Sequence, residues 1–254
     1  MLSNDNKVSI VISVLNGGKT IEKCLHSIFK LNYPNMEIII IDGGSTDETI
    51  EILKKFDSRI SYWKSEKDHG IYDAWNKALK KVTGNWVAFI GADDIWASKE
   101  SMNILMEHAS YPKINFICAR ARIIDGEKKV KTIGAPFVFK NLWKGMRFIH
   151  IGSMHHKSLF KNGQVFDSKY KIAGDYDFFV QNGKSIKAKF ISKDIVFIGA
   201  HGLSRTMPWR VFKESFNSLR ISENFGLGLA ILFYVRSFVT FFINKFLIFM
   251  RRYE

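Results

Sequence analysis

The chain has 254 residues, with 38 Lys and Arg against 24 Asp and Glu, a formal charge of +14. That length holds one sizeable domain, or one domain with an appendage. A hydrophobic content of 46% and a charged content of 24% exclude a disordered or collagen-like chain. The two cysteines, Cys24 and Cys118, stand far apart without Cys/His spacing, so a disulfide scaffold and a thiolate zinc site are not expected. Positive charge suits nucleic acid, anionic lipid or phosphate-bearing substrates alike. Here the basic pairs, such as Lys54-Lys55, Lys80-Lys81 and Arg251-Arg252, are scattered and accompany no nucleic-acid-reading motif, so no nucleic-acid partner is expected. Residues 1–7 contain no basic stretch leading into an apolar run, and a cytoplasmic location is expected.

The first half alternates strand and helix patterns. Val8 to Val14 is a β-branched run, and Ile21, Leu25 and Ile28-Phe29 then recur at helical spacing. Glu37 to Ile41 reads as a strand buried on both faces. Ser45-Thr46-Asp47-Glu48 has the form of a capping box opening a helix through Lys54. Ile60 to Trp63 is a third strand, Ile71 to Val82 a helix with one apolar face, and Trp86 to Ile90 a fourth strand. Such alternation with short connections predicts an open α/β sheet with helices on both faces. Further on, strands are expected over 115–124 and 195–199 and a short helix over 175–182, whereas 133–171 shows no period.

Ligands of open α/β sheets bind beyond the carboxyl ends of the strands. Asp42, Asp68 and Asp93-Asp94 follow the second, third and fourth strands. Neither G-x-G-x-x-G after the first strand nor a G-x-x-x-x-G-K-[ST] run is present, so dinucleotide and P-loop sites lack their phosphate-binding device. Carboxylates repel a phosphate unless a divalent cation stands between them, and Mg²⁺ or Mn²⁺ commonly bridges one or two carboxylates to phosphates. A metal-bound nucleoside diphosphate is a coherent ligand. Each acidic motif taken singly also suits a turn or a helix cap, for example Asp93-Asp94 before a helix near Ser98.

In their order, the blocks Val8–Asn16, Glu37–Asp47, Ser65–Ala78, Gly84–Asp94 and Ala173–Phe179 resemble the family 2 glycosyltransferases of GT-A fold, over residues 7–205. They look most like the bacterial branch that builds exopolysaccharide or lipopolysaccharide. The resemblance implies a nucleotide-sugar half (1–95) and an acceptor half (96–205), followed by a helical tail (206–254). It implies that Val14, Asn16 and Asp42 hold the base of the donor, that Asp68 lines the pocket, and that Asp73, Asn76 and Lys77 in the same block belong to the substrate site. Asp93 faces the ribose or sugar, Asp94 coordinates Mn²⁺ or Mg²⁺, His201 adds a metal or diphosphate contact, and Asp175 is the base. Two departures are visible: Ala92 replaces a frequent first Asp, and Gly174 stands where many relatives carry Glu, leaving Asp177 as a competitor for Asp175.

One carboxylate opposite the leaving group predicts direct displacement with inversion. His156 and Arg205 are candidates for a phosphorylated acceptor or donor phosphates, and His155 reads as a half-exposed surface residue. Trp63, Trp75 and Trp86 are expected in the core, with Trp96 and Trp143 on the acceptor side. Residues 227–250 are strongly apolar with Arg236, Thr240 and Asn244 at every fourth position. An amphipathic helix lying on the inner membrane face beside a lipid-linked or glycan acceptor is expected, with a homodimer through the tail as the competing use. The other enzymatic reading is a sugar-phosphate nucleotidyltransferase, for which Asn16-Gly17-Gly18-Lys19 lacks the Arg-containing loop. The non-enzymatic one is a membrane or nucleic-acid binding relative.

Overall fold

The β-branched run after Lys7 forms β1 (Val8–Val14), which lies between β2 (Met36–Asp42) and β4 (Trp86–Gly91), all parallel, with β3 (Tyr62–Ser65) outside β2. The helices α1 (Ile21–Phe29), α2 (Thr49–Lys55) and α3 (Ile71–Leu79) make the crossovers. Because alternate strand residues face opposite ways, Ile10 and Ile12 pack with Leu25 and Ile28 of α1, while Val11 packs with Trp75 of α3 on the other face. In this computed structural model, residues 6–111, 113–125, 128–160, 165–200, 202 and 206–250 are described.

The sheet continues past β4 through a change of direction. Among the described residues, β8 (Met154–His156) runs antiparallel to β4 and to β6 (Phe116–Asp125), so β6 again points the same way as β4. β6 pairs in parallel with β9 (Ala188–Gly199); β5 (Ile95–Trp96) borders β9, and β7 (Lys128–Ile133) folds back on β6. The result is a nine-stranded, mostly parallel sheet flanked by helices. β9 begins seven residues earlier than the expected start at 195, because pairing with β6 rather than local apolarity defines it.

Local rules gave way to tertiary contacts in several places. The capping box does not form: Ser45 turns its hydroxyl to Asp42, and the amide of Thr49 at the start of α2 is held by Asp47 Oδ1 (3.0 Å). Trp96 is buried at 4% exposure against the α1 face and is not on an acceptor surface. His155 is fully buried beside His150, whose ring stacks on Trp75 (5.0 Å) and Phe89 (5.3 Å). Desolvation keeps both imidazoles neutral, holding His155 down at about 3.

At the amino-terminal edges of the strands, buried Glu37 braces the sheet. Burial pulls its carboxyl upward, but hydrogen bonds from Lys7, Ser9 and Thr83 outweigh that and bring it to about 2.

Four helices follow the first half of the sheet: α4 (Ser101–Met106), α5 (Gly174–Asn182), α6 (Pro208–Ile221) and α7 (Gly226–Met250). α6 packs on α5, and α7 packs on α6 and on the turn at 139–144. α7 turns Ala230 and Phe233 inward and leaves Leu227, Leu232, Val235, Val239 and Ile243 exposed. Over Gly226–Ile243 the mean hydropathy is 1.9 and only 11% of the stretch is buried. Arg236 at its middle donates to the Lys144 carbonyl (2.8 Å), which anchors this helix to the domain.

Candidate active site

The carboxyl ends of β1 and β4 and the segment after β3 enclose a cavity of about 480 Å³, lined by Val14, Asn16, Asp68, Asp93 and Lys171 among others. Asn16 sits in the left-handed region (φ 51°), where asparagine is tolerated better than branched residues. Its N–H donates to Ser45 Oγ (2.7 Å), and its Oδ1 accepts from Thr46 N (2.9 Å), so the loops after β1 and β2 are tied together at the cavity rim. Asp68 accepts the Gly70 N–H (2.9 Å), a turn that opens α3 through Gly70 (φ 116°).

Asp42 is fully buried and does not line this cavity. Its oxygens accept from Gly44 N (3.0 Å), Ser45 N (2.9 Å), Ser45 Oγ (2.5 Å) and Ser65 Oγ (2.6 Å). It builds the loop that carries Ser45 to Asn16, instead of presenting a carboxylate to a donor base.

Asp93 and Asp94 divide in the opposite sense from the expectation. Asp93 is exposed and lines the cavity; Asp94 is buried, and its Oδ2 accepts the Gly91 N–H (2.9 Å). A Cβ at position 91 would stand 2.6 Å from Asp94 Oδ2 and 2.8 Å from Asp93 Oδ1, so only glycine lets the two carboxylates crowd this turn. Nor does the pair cap a helix, since α4 starts only at Ser101.

Three residues of the block after β3 are engaged away from the cavity. Asp73 accepts from His69 N (3.0 Å) and pairs with Lys77 (3.2 Å), which also reaches Glu66 (3.2 Å). Asn76 exchanges two hydrogen bonds with the backbone of Phe166 (2.7 and 3.1 Å). Together they hold α3 and the turn that displays Asp68. His156 pairs with Trp86, the first residue of β4, and so lies at the opposite end of the sheet from Asp93, in a separate hollow with Asn85 and Tyr111. His201 and Arg205 lie outside the described residues.

Asp175 is the second residue of α5 and is tied to α3 through Tyr72, the residue after the cavity-lining Gly70 and Ile71. The Tyr72 hydroxyl shares its proton between the Ile172 carbonyl (2.6 Å) and Asp175 Oδ1 (3.1 Å), and Tyr176 N donates to the same oxygen (2.8 Å). Desolvation pushes the Asp175 carboxyl up to about 6 despite those hydrogen bonds. Gly174 now has a reason: a Cβ there would meet the Tyr72 ring at 2.7 Å, so no Glu fits before Asp175 while that tyrosine is in place. The competitor Asp177 is buried and accepts from Gln181 of its own helix (3.2 Å).

Two residues escaped the sequence reading. Lys171 lines the cavity and is tied by its ammonium to the His69 carbonyl. Glu214 of α6 accepts the backbone N–H groups of Lys171, Ile172 and Ala173. A lysine among 38 basic residues carries no signal of its own. Glu214, on a helix remote in sequence, could be found only once α6 was docked on α5.

The donor set fits a small, hard divalent cation. Asp68 and Asp93 offer oxygens in one cavity, and Mg²⁺ or Mn²⁺ takes one or two carboxylates and completes its shell with phosphates and water. Among the described residues, no three His, Cys, Asp or Glu side chains converge into a closed metal cage, so ligand oxygens have to complete such a shell.

A family model described as glycosyl transferase family 2 matches residues 9–167. The chain is 28% identical over 207 residues to the glycosyltransferase GlyA of Streptococcus pneumoniae, covering 78% of this chain but 27% of that protein. It is 35% identical over 135 residues to UDP-Glc:alpha-D-GlcNAc-diphosphoundecaprenol beta-1,3-glucosyltransferase WfgD of Escherichia coli, covering 52% of this chain and 53% of WfgD. Among solved structures, S. aureus TarS 1-349 in complex with UDP-GlcNAc superposes with a TM-score of 0.66 at 17% identity, covering 91% of this chain and 71% of that one. The mannosyltransferase PcManGT from Pyrobaculum calidifontis, in complex with GDP-Man and Mn2+, gives 0.63 at 17%, covering 84% and 63%. The sheet and its flanking helices are thus of the GT-A type, and the chain belongs to glycosyl transferase family 2 and is a glycosyltransferase.

Proposed function

We propose that this enzyme moves a sugar, with inversion, from a UDP-sugar to a hydroxyl of a lipid-linked or glycan acceptor in bacterial surface-polysaccharide assembly, at the inner membrane face. The observation that carries the reading is the cavity itself: Asp68, Asp93 and Lys171 face one space, and Tyr72, which follows the lining residues Gly70 and Ile71, holds the desolvated Asp175. Relatives with UDP-Glc or UDP-GlcNAc in their names favour a uridine donor.

In this mechanism the backbone at Val14 and the side chain of Asn16 bind the nucleoside end of the donor, and Asp68 and Asp93 are the residues that would hold Mn²⁺ or Mg²⁺. That ion, when bound, offsets the negative charge gathering on the leaving diphosphate. Lys171 adds a fixed cation at the same oxygens. Asp175 Oδ accepts the proton of the acceptor hydroxyl as its oxygen attacks the anomeric carbon; Tyr72 and the Tyr176 amide hold that carboxylate in line. A single base opposite the leaving group gives one displacement and hence inversion.

The exposed face of α7, with Lys213 and Arg220 exposed on α6, suits an anionic lipid surface, where a lipid-linked acceptor resides. Calorimetric titration of UDP-, GDP- and dTDP-sugars with and without Mn²⁺ tests the donor site. Metal-dependent binding of the uridine donor supports the reading, and a folded protein that binds none of the three overturns it.

A further inference from the structure

Glu214 is buried at 9% exposure on α6, and its carboxylate is aimed at the turn that leads into α5. Oε2 accepts the N–H groups of Ile172 (2.9 Å), Ala173 (3.0 Å) and Lys171 (3.1 Å), and Arg210 Nε donates to Oε1 (2.9 Å). These are the last free-standing amides before α5, whose second residue is Asp175. They lie ahead of α5, outside its own hydrogen-bond ladder, so they need an acceptor from elsewhere. One carboxylate from a distant helix satisfies all three of them here.

The same turn is gripped from the other side by Tyr72 of α3 through the Ile172 carbonyl. α6 packs on α5 with Ser215 and Ser218 buried, and Gln181 of α5 donates to the Ser218 carbonyl (3.2 Å). α7, which presents the exposed apolar face, lies on α6 and sets Phe233 over Tyr176, the neighbour of Asp175 (ring centroids 6.3 Å apart).

We propose that Glu214 is a positioning residue that fixes where the Asp175 carboxylate stands, which makes the C-terminal helix pair part of the catalytic apparatus. The proposal rests on Asp175 being the base. The titratable groups around Asp175 are Tyr72 from α3, Glu214 with its partner Arg210 from α6, and, on its own side, Asp177 with Tyr170. Burial raises Asp175 first, and the negative charge of Glu214 works in the same direction. Glu214 touches Lys171 only at its backbone amide, whereas the Lys171 ammonium has its own anchor at the cavity in the His69 carbonyl.

The test uses the full chain with Glu214→Gln and Arg210→Met. Two quantities are read: turnover with a UDP-sugar donor, and the titration of Asp175 by carboxyl ¹³C NMR, assigned with Asp175→Asn. Glu214→Gln should lower kcat about tenfold or more while donor affinity stays within about threefold, and should move the Asp175 titration downward. Arg210→Met, which strips the counter-charge and keeps the clamp, should move it upward. If Glu214→Gln fails to fold, the upward shift in Arg210→Met supports the coupling and an unchanged titration overturns it. Unaltered kcat and titration in a folded Glu214→Gln protein overturn the proposal alone. A wild-type chain that binds donor and transfers no sugar strikes instead at the reading of the site.

Discussion

In the proposed mechanism Asp175 is the base. Held by Tyr72 and the Tyr176 amide, it is raised to about 6 by desolvation, so it is ionised and ready to accept a proton above that value. Transfer rate should therefore be flat above pH 7 and fall about tenfold per unit below about pH 6. A rate that keeps its neutral value at pH 5 would remove Asp175 from the role. Asp175→Asn should lower kcat by roughly 10²–10⁴ while leaving donor binding intact. The paired carboxylates after β4 separate by burial. Asp93→Asn should weaken Mn²⁺-dependent donor binding about tenfold or more. Asp94→Asn should instead lower the melting temperature by about 5 °C, since a buried, charge-assisted hydrogen bond to Gly91 is weakened. A thermally normal Asp94→Asn protein that has lost its metal response would return the metal role to Asp94.

At the element scale, α7 combines the length and apolarity of a membrane helix with a docked inner face. Its 25 residues rise about 37 Å, Ala230 and Phe233 pack inward, and the Arg236 guanidinium is engaged by the Lys144 carbonyl. Under the proposed membrane role, that anchoring suits a helix lying along the bilayer surface with the domain attached to it. Leu232→Glu with Val239→Glu places charge on the exposed face and should sharply reduce co-sedimentation with vesicles containing anionic lipid, with little change in melting temperature. Equal co-sedimentation of variant and parent would take the membrane role from this face.

For the whole molecule, acid is the informative stress. Burial holds His155 down at about 3 when folded against 6.5 as its ordinary value, and His150 is likewise held well below its ordinary value. The unfolded chain takes up those protons first, so stability falls as pH drops from about 6.5 toward 3. Glu37, at about 2 against 4.5, contributes stability that is complete above about 4.5 and lost as pH falls toward 2. Asp175 opposes them between 6 and 3.8, where the folded state binds the proton first. Two buried histidines and one clamped glutamate outweigh one carboxyl. The melting temperature should fall by roughly 5 °C or more between pH 7 and pH 4, and a flat profile in thermal melts would show that the imidazoles are not held neutral.

Periodicity and composition alone determined the α/β class, the first four strands, α1 and α3, and the acidic residues at strand ends. These depend on which faces are buried, and burial leaves a pattern of apolar spacing in the chain. Only the tertiary structure decided which of those carboxylates face the cavity and which are turned into their own loops. Asp42 is consumed by its own loop, Asp94 by its own turn, and His156 is carried to the far end of β4, because hydrogen-bond partners and strand direction are settled by contacts distant in sequence. Glu214 shows the same principle from the other side. An ordinary acidic residue on a late helix acquires its place at the base only when α6 docks on α5 and three backbone amides, which no side-chain pattern records, need an acceptor.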